Sequence, residues 1–560
     1  MRSLLGVAAA WLALALVVFA IAAPRTDAPG LYYDEAFLGQ QAKDFFEPER
    51  GLAHPGSTRE VELFGRPFPL RNAVYLGATK SQLLIPAFAL FGTDVAVLRL
   101  ATLATSLAAL LCAMLWAGRA LGAPSAILGG VLVASDPAWW FLSLHEWGPF
   151  TTLFVCRAAG FLLVAAGWTR RSPGAVAAGG VCLGLGVYTR ADFLVVVAGT
   201  ALAFGLVRPD LVREALRERR RLLAVLAAAL AVGAAPMLLS AADLFATSAS
   251  PVLGRRGDLV EKLRVLWSLL DGSHFHRLMQ VGGRFDRMFE VEAPAGLFGV
   301  ALLACAGLVA ARGVVRWRSR EPLEPLDFLL LAAALVTVGT LVLPGAVRAH
   351  HLLNALPFPH FLVAELGVRA WRSIPPASRI GARAALALAG VALVGANAEL
   401  VRSTYALVEA TGGRGRWTDA LREPAAELEA DRSRRGVSLD WGFHEPLLFL
   451  THRAKLVEPF WGIREAVRAA GAWRFPGSAG DVYFVHEREY DLFGFGPGFL
   501  AAARAVGERR PDALEIRTHR DREGGVAFHS VRFARDHEIT YERAFRIRLR
   551  EEEPSRGSPE

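Results

Sequence analysis

Two adjacent carboxylates, Asp34 and Glu35, lie in the segment YYDEAFLGQQAKDFF at residues 32–46. The apolar side chains of this segment recur at helical spacing, and its Tyr and Phe residues are typical of a membrane interface. A carboxylate held at an interface could act as a general base on an acceptor hydroxyl or amine. The alternative is a solvated acidic pair, which is common in any outer loop.

Three basic residues lie in or beside apolar stretches, where an ionisable group is costly and marks a functional site by default. Arg99 is near the start of VLRLATLA, Lys80 interrupts the apolar segment 75–92, and Arg190 ends a short apolar run in GLGVYTRADF. A guanidinium fork or an ammonium suits a phosphate. The alternatives are an Arg99 side chain that extends to the interface, a Lys80 that anchors to lipid headgroups, and an ion pair between Arg190 and Asp192.

Histidines occur at two short turns between apolar runs. His145 and Glu146 lie in WWFLSLHEWGPF, and Arg348, His350 and His351 lie in PGAVRAHHLLN. Glu146 could be a second acid for an acceptor or a metal, or could only supply polarity to the turn. Adjacent histidines point in different directions on a helix and make a poor chelating pair, so the pattern alone does not predict a zinc site. An arginine beside histidines suits an anionic headgroup better.

Composition defines the elements that must position these residues. The chain has 560 residues, of which 53% are hydrophobic and 21% charged, and long apolar runs without charge exclude a purely soluble, coiled-coil or disordered protein. The four cysteines fall inside apolar runs, so we expect free thiols. The net charge of +9 comes from arginine, with only four lysines, and we do not read it as a signal for nucleic acid. The class is a polytopic α-helical membrane protein with one soluble domain.

About 20 apolar residues are needed to cross a membrane. The sequence offers eleven candidate spans: 4–23, 95–117, 124–142, 149–168, 174–189, 191–207, 222–243, 295–313, 327–345, 352–370 and 382–400. The first run could also be a cleaved signal peptide, but its apolar part is longer than a signal core, so we favour an uncleaved helix. Within the fifth, Gly180 and Gly184 form a small-residue face for close helix packing.

Arginine placement orients these spans. The segments that would face the cytoplasm with the N-terminus inside are rich in arginine, whereas the short turns on the other side hold only Arg190 and Arg348. The chain tail then lies outside the cytoplasm. We therefore expect a multi-pass protein of the cell (inner) membrane, with a cytoplasmic N-terminus and an extracytoplasmic C-terminal domain.

Three outer stretches are polar. The loop 24–94 is predicted to hold amphipathic helices at 32–46 and 75–92, both at the membrane surface, and the loop 244–294 follows the seventh span. The tail 401–560 alternates short β-like runs with a helical one, which indicates a soluble α/β domain after a membrane domain at 1–400. Its predicted elements are strands at 481–487, 526–533 and 545–550 and a helix at 422–435. Aromatic residues in 441–450 and 457–466 could stack on sugars or simply form core.

The order of three motifs gives a family resemblance. LYYDEAF, YLGATKSQLLIPAFALFGTDVAVLRLATL and GGVCLGLGVYTRADF together resemble the polyprenyl-phosphate-sugar-dependent glycosyltransferases of the GT-C fold. The nearest branch is that of protein mannosyltransferase-like and aminoarabinose transferase-like enzymes. The resemblance covers roughly residues 1–400, and the tail matches nothing that we can name.

The resemblance implies an enzyme that transfers a sugar from a polyprenyl-phosphate donor, with inversion, to an unknown acceptor. It gives Asp34 the place of the catalytic base and Glu35 that of its acidic neighbour. It gives the donor phosphate Lys80, Arg99 and Arg190, although the KPP pattern of the aminoarabinose branch is missing at Lys80. Arg348, which is predicted on the same outer face, is a further cation for the departing phosphate. His145, Glu146, His350 and His351 remain candidates for acceptor or metal binding, with a divalent cation as an open possibility.

Two other classes of function compete with this one. A transporter or flippase of lipid-linked glycans predicts inverted repeats and charges near the middle of the bilayer, and neither is evident. A non-catalytic envelope assembly protein predicts that Asp34 is dispensable. A ligase that moves whole glycans from a diphosphate lipid would also use arginines at the outer face. No GxGxxG, GxxxxGK[ST], HExxH or CxxC motif is present, which argues against a nucleotide-driven pump.

Overall fold

The computed structural model describes residues 2–47, 59–239, 258–344, 348–375 and 379–550. Residue contacts divide the chain into two compact units, which are described separately. The first unit comprises Met1–Thr26, Gln41–Arg277 and Glu292–Thr404, and the second comprises Asp27–Gln40, Leu278–Val291 and Tyr405–Glu560. Residues 27–40, which include Asp34 and Glu35, are therefore grouped with the tail by their contacts.

Helices dominate the chain as far as residue 411. Seven helices of the described part are long and apolar enough to cross a membrane: Ser3–Arg25, Val95–Ala120, Phe150–Arg170, Arg220–Leu239, Phe298–Arg318, Pro325–Val342 and Ile380–Thr411. Two bent pairs raise the number to nine if each pair is one span: Ala123–Ser135 with Pro137–Leu144, and Phe193–Val207 with Pro209–Glu218. The other α-helices of this region are Tyr33–Asp44, Thr79–Phe91, Pro173–Thr189, Leu259–Leu270, His274–Gln280, Ala349–Leu352 and Phe358–Ser373.

A helix lies in each of the eleven predicted stretches, and the polytopic class is confirmed. Four stretches depart from a simple span. The third bends by 67° at Asp136, where the Asp136 side chain caps the helix that Pro137 begins. The sixth bends by 101° after Val207. The fifth is short, and the tenth is divided before Pro357. The part of the predicted outer loop at 244–257 lies outside the described residues.

Close packing in the first unit uses the predicted small-residue face. A Cβ atom added to Gly184 would lie 2.2 Å from the carbonyl oxygen of Leu230, and one added to Gly180 would lie 2.8 Å from the Cβ atom of Ala229. Both contacts are with the helix Arg220–Leu239. The two helix backbones therefore approach within a distance that only glycine permits.

The first loop differs from the prediction. Its two predicted helices are present as Tyr33–Asp44 and Thr79–Phe91, but between them lies a three-stranded antiparallel sheet of β1 (Arg59–Leu63), β2 (Arg66–Ala73) and β3 (Leu76–Gly77). This sheet was not predicted from the sequence. The strand signal is weak because β1 is charged and exposed at every position and β2 contains Pro67 and Pro69.

The tail forms the predicted α/β fold. A five-stranded mixed sheet has the order β5-β4-β7-β9-β8, and a three-stranded antiparallel sheet has the order β11-β10-β6. The strands are β4 (Arg435–Ser438), β5 (Lys455–Val457), β6 (Trp473–Gly477), β7 (Asp481–His486), β8 (Leu514–Arg520), β9 (Val526–Phe533), β10 (His537–Tyr541) and β11 (Phe545–Leu549). The helices are Arg422–Ala430, His444–Leu450, Phe460–Ala470 and Gly496–Arg509. The strands predicted at 481–487, 526–533 and 545–550 are confirmed, and the predicted helix 422–435 ends earlier, at Ala430.

The segment before Asp34 is held by the start of the tail. The backbone N–H of Gly30 donates to the carbonyl oxygens of Gly412 (3.1 Å) and Trp417 (2.8 Å). A Cβ atom at Gly30 would lie 2.0 Å from the carbonyl oxygen of Thr418, so only glycine fits. The ring of Tyr32 stacks on that of Trp417 at 3.9 Å. These contacts fix the first turn of the helix Tyr33–Asp44 within the second unit.

Candidate functional site

The predicted site residues divide between the two units. Asp34 and Glu35 lie in the second unit, and the remaining candidates lie in the first: Lys80, Arg99, His145, Glu146, Arg190, Arg348, His350 and His351. Each group is described within its own unit.

Arg190 is the centre of a buried polar network. It is 1% exposed, and its Nε lies 2.5 Å from Oδ1 of Asp192. Its Nη2 donates to Oδ1 of Asn354 (2.9 Å) and to the carbonyl oxygen of His350 (3.2 Å). Its Nη1 has no hydrogen-bond partner among the described residues. Since buried guanidinium donors are normally satisfied, this open position suits an anionic ligand.

Asp192 provides the counter-charge. Its Oδ2 lies 2.8 Å from Nδ1 of His351 and accepts a hydrogen bond from Nδ2 of Asn354 at 3.4 Å. Burial by itself raises the pKa of Asp192, but the adjacent Arg190 charge and the hydrogen bond from His351 outweigh it and lower that pKa. Asp192 is therefore an anion. The ion pair that the sequence offered as an alternative is present, and it leaves one end of the guanidinium open.

The unpredicted sheet positions Arg190. Strand β3 forms a bridge between Leu76 and Arg190, and the backbone N–H of Ala191 donates to the carbonyl oxygen of Tyr75 at 3.2 Å. The Tyr188 hydroxyl accepts a hydrogen bond from the backbone N–H of Ala78 at 3.3 Å. The end of the helix Pro173–Thr189 is thus fixed by the hairpin rather than by helix packing alone.

Arg157 belongs to the same network and was missed in the sequence. It is 2% exposed and donates through Nη1 to the carbonyl oxygen of Asn354, while its Nε has no partner among the described residues. It also lines a small recess with Trp116, Phe161 and Phe358. The signal was available, because an arginine in the middle of the apolar run TTLFVCRAAG is a functional candidate by default.

Lys80 and Glu146 form a buried ion pair. The two side chains are each 2% exposed, and Nζ of Lys80 lies 2.5 Å from Oε2 of Glu146. The lysine also donates to Oγ1 of Thr102 (2.7 Å), and Oε1 of Glu146 accepts from the backbone N–H and the hydroxyl of Thr151. Lys80 is therefore not exposed to lipid headgroups. A phosphate that bound this lysine would share it with Glu146.

Arg99 and His145 are both fully buried. Nη1 of Arg99 donates to the carbonyl oxygen of Thr26 at 2.8 Å, so this side chain does not extend to the surface. Burial and the Arg99 charge lower the pKa of His145, which is therefore neutral at pH 7. A neutral imidazole can both donate and accept a hydrogen bond, so His145 could orient a polar ligand.

The structure brings His350 and His351 close to Arg190, and Arg348 lies near enough to both histidines to affect their pKa values. Burial is the main cause that lowers the pKa of both histidines, and the charges of Arg190 and Arg348 add to it. The His350 ring lies 5.3 Å from that of Trp147, and its Nδ1 has no partner in the described part of the chain. The local surplus of positive charge fits an anion better than a metal.

In the second unit, Tyr33 ties the start of the Asp34 helix to the tail. Its hydroxyl lies 3.3 Å from both carboxyl oxygens of Glu458, and its ring stacks on Trp441 at 4.6 Å. Asp34 and Glu35 are in the first turn of the helix, where a carboxylate is stabilised by the helix dipole. Asp34 is partly exposed, whereas Glu35 is 2% exposed. Of the two, Asp34 is the carboxylate that a substrate could reach.

Glu458 is an unusual carboxyl group. Burial, followed by the nearby charge of Glu445, raises its pKa to about 8. Burial and the charges of Glu445, Glu458 and Asp34 likewise raise the pKa of Tyr33. At neutral pH Glu458 is therefore largely protonated, and it can donate as well as accept a hydrogen bond.

Glu458→Gln is expected to become increasingly stabilising as pH rises from about 5 to 9. The folded protein keeps a proton on Glu458 between its ordinary pKa of 4.5 and about 8, whereas the unfolded chain releases it. The free energy of unfolding of the wild type therefore falls across this pH window, whereas Glu458→Gln, with a neutral amide, does not lose this contribution. The difference in Tm between the two purified proteins, measured against pH, checks this. A constant difference would contradict a buried, proton-holding Glu458.

No metal centre is evident in the described residues: none of them form a group of three or more His, Cys, Asp or Glu side chains that could hold a metal ion. His145 and Glu146 are adjacent in sequence, but Glu146 is bound to Lys80 and Thr151.

Comparison with solved structures identifies the fold. ArnT from Cupriavidus metallidurans in the apo state matches with a TM-score of 0.53 and 14% identity, covering 94% of this chain and 98% of that chain. The same protein bound to undecaprenyl phosphate matches with a TM-score of 0.51 and 13% identity, again covering 94% of this chain and 98% of that chain. The Archaeoglobus fulgidus oligosaccharyltransferase in complex with Zn and sulfate matches with a TM-score of 0.50 and 14% identity, covering 80% of this chain and 62% of that chain.

No family model and no curated protein matches the chain. The structural matches nevertheless span nearly the whole molecule, and the first two include nearly the whole length of ArnT. The GT-C fold that the sequence motifs predicted is therefore confirmed. At this level of identity the likeness concerns the fold.

Proposed function

We propose that this chain is an integral-membrane glycosyltransferase that moves a sugar from a polyprenyl-phosphate donor to an acceptor. The observation that carries the proposal is the shared fold with a protein whose structure holds undecaprenyl phosphate. The buried Arg190, with an open Nη1 in a network that also includes His350, supports a phosphate ligand in the first unit. The glycosyltransferase class is favoured over a transporter because the fold matches transferases over nearly the whole chain.

The reaction needs a base for the acceptor and cations for the leaving group. The acceptor hydroxyl or amine attacks the anomeric carbon as its proton passes to the carboxylate of Asp34. The bond between the anomeric carbon and the phosphate oxygen breaks, and its electron pair leaves with the polyprenyl phosphate. Attack from the face opposite the phosphate inverts the anomeric centre. Glu35 keeps the role of an acidic neighbour.

Cationic side chains stabilise the phosphate as it departs. A preorganised guanidinium in a water-poor site stabilises developing charge without reorganisation. We assign this role first to Arg190, and then to Arg348, Arg99 and Lys80, of which Lys80 already has a carboxylate partner in Glu146. His145, Glu146, His350 and His351 are proposed to shape the same polar region for donor or acceptor.

Transfer activity tests the proposal directly. The purified protein in lipid vesicles is offered a panel of radiolabelled polyprenyl-phosphate sugars together with an extract of envelope glycolipids and glycans. Label that moves to water or to an acceptor supports the transferase. No turnover of any donor by folded protein, in the presence of the acceptor extract, would contradict it and favour a transporter or an assembly protein.

We also propose the orientation of the chain, which the sequence suggests. Arginine-rich segments such as 208–221 and 312–320 would face the cytoplasm of a cell (inner) membrane, together with the N-terminus. The tail from residue 405 would then be extracytoplasmic. Polyprenyl-phosphate chemistry at the outer face of that membrane agrees with this orientation.

Labelling of single cysteines checks the orientation. Ser319 and Glu508 are both exposed, and they lie on the arginine-rich side and in the tail, respectively. In spheroplasts a membrane-impermeant thiol reagent is expected to label Glu508→Cys but not Ser319→Cys, and disruption of the membrane should expose both. Labelling of Ser319→Cys alone would reverse the proposed orientation. The unmodified protein, whose cysteines lie in apolar helices, gives the background.

A further inference from the structure

The second unit carries an aromatic and carboxyl surface that the transfer chemistry does not use. It consists of Tyr33, Trp441, Glu458 and Trp461, and we call it the tail patch. Trp461 is 46% exposed, which is unusual for a side chain of this size in a soluble domain. Trp441 and Glu458 are partly exposed, and Tyr33 is buried beneath them.

The indole of Trp461 is fixed in orientation. Its Nε1 donates to Oε2 of Glu458 at 2.7 Å, and its ring meets that of Phe493 edge to face at 5.2 Å. Arg464 lies 6.0 Å from the centre of the Phe493 ring and donates to the Phe493 carbonyl oxygen at 2.7 Å. An exposed ring that is held at its polar edge and supported from one side presents a rigid apolar face to a ligand.

The polar part of the tail patch is equally fixed. Glu458 accepts from Trp461 and contacts the Tyr33 hydroxyl, and Tyr33 stacks on Trp441. Arg416 lies 5.7 Å from the centre of the Trp441 ring, and its Nε and Nη2 donate to the carbonyl oxygen of Tyr490. A carboxyl beside two aromatic rings is therefore held in place, and no cation among the described residues forms an ion pair with it.

This combination selects a class of ligand. A sugar ring has an apolar C–H face that stacks on an indole and hydroxyls that exchange hydrogen bonds with a carboxyl. A phosphate would be repelled by the nearby charge of Glu445, and an acyl chain would bury Glu458 without satisfying it. The raised pKa of Glu458 supports this assignment, because a protonated carboxyl both donates and accepts, as a hydroxyl requires.

We propose that the tail patch is a subsite that binds a sugar ring of the acceptor, with Trp461 as the stacking platform and Glu458 as the polar contact. The acceptor is therefore a saccharide or a glycolipid. This inference rests on the proposed function. Because Tyr33 contacts Glu458 and directly precedes Asp34, the subsite adjoins the chain segment that carries the proposed base.

Binding to immobilised saccharides tests the subsite independently of turnover. Full-length protein in nanodiscs is applied to an array of neutral, acidic and amino sugars and their oligomers. Wild type is expected to bind a subset, and Trp461→Ala to bind that subset at least about tenfold more weakly, as for loss of an aromatic anchor. Trp461→Phe should retain part of the binding, and Glu458→Gln should change which sugars are preferred. Trp317→Ala, which removes an indole that is 75% exposed in the first unit, is the matched control and should bind as wild type.

Two results would overturn the inference: no saccharide bound by wild type, or equal binding by wild type and Trp461→Ala. Release of label from the donor to water is measured in the same preparations. If that activity persists while saccharide binding is absent, only the acceptor subsite is wrong. If donor turnover is absent while Trp461-dependent saccharide binding is present, the proposed transfer function is wrong and the sugar site stands.

Discussion

Asp34→Asn is expected to lower the rate of sugar transfer by about 10²–10⁴-fold, the usual contribution of a positioned general base. The amide has nearly the shape of the carboxylate but cannot accept the acceptor proton. Asp34 is partly exposed at the start of a helix, and the contacts of Gly30 and Tyr32 that hold the preceding residues do not involve its side chain. Initial rates with a saturating radiolabelled donor measure the effect.

The matched control for this substitution is Asp27→Asn. Asp27 lies in the same segment, its side chain is 74% exposed, and its only ion-pair partner among the described residues is Arg422. Asp27→Asn should transfer sugar at the wild-type rate. Equal rates for Asp34→Asn and wild type would remove Asp34 from the mechanism and direct attention to Glu35 and Glu146. Donor binding, measured by competition with unglycosylated polyprenyl phosphate, should not change in Asp34→Asn, because the base is proposed to contact only the acceptor.

Arg190→Lys is expected to lower transfer by about 10²–10³-fold, as for loss of one preorganised donor to developing charge. Lysine keeps the positive charge but cannot contact Asp192, Asn354 and a ligand together through a planar fork. The affinity for unglycosylated polyprenyl phosphate should fall with the rate, since the same phosphate is bound before and after transfer. Rates and competition constants are measured in the same vesicles.

The control is Arg402→Lys, at an arginine that is 69% exposed on a long helix and paired with Glu399. It should leave both rate and competition unchanged. Loss of activity in Arg190→Lys with unchanged affinity for polyprenyl phosphate would assign Arg190 to structure rather than to the phosphate. Unfolding temperatures of both variants identify any general loss of stability, which is plausible where Asp192 loses part of its partner.

Much of the membrane architecture could be predicted from apolar runs, because span length and hydrophobicity are direct consequences of bilayer thickness. The differences between the predicted spans and the observed helices have local causes. Asp136 with Pro137, and the stretch before Pro357, interrupt helices at positions that a hydropathy window averages away. The sheet at 59–77 was missed because β1 is charged and exposed, β2 contains two prolines and β3 has only two residues, so the segment has little alternating pattern.

The residues of the candidate site could be predicted from the sequence, but the side chains that they contact could not. Spacing marked Lys80 and Arg190 as charges in apolar surroundings, yet it could not show that Lys80 pairs with Glu146 or that one nitrogen of Arg190 stays open. Arg157 is likewise a charged residue in apolar surroundings, but it was overlooked in the sequence analysis because it lies within a candidate span. Contacts such as that of Tyr33 with Glu458 join residues 425 positions apart, and no local pattern reports them.

The contact between the segment 27–40 and the tail has a consequence for synthesis. The residues that hold Gly30 and Tyr32 in place, from Gly412 to Trp417, are translated after all the apolar helices of the first unit. A nascent or truncated chain that ends before residue 404 therefore carries its candidate base on a segment without its partners. The proposed base therefore reaches the surroundings described above only after the helix Ile380–Thr411 and the start of the tail have been translated.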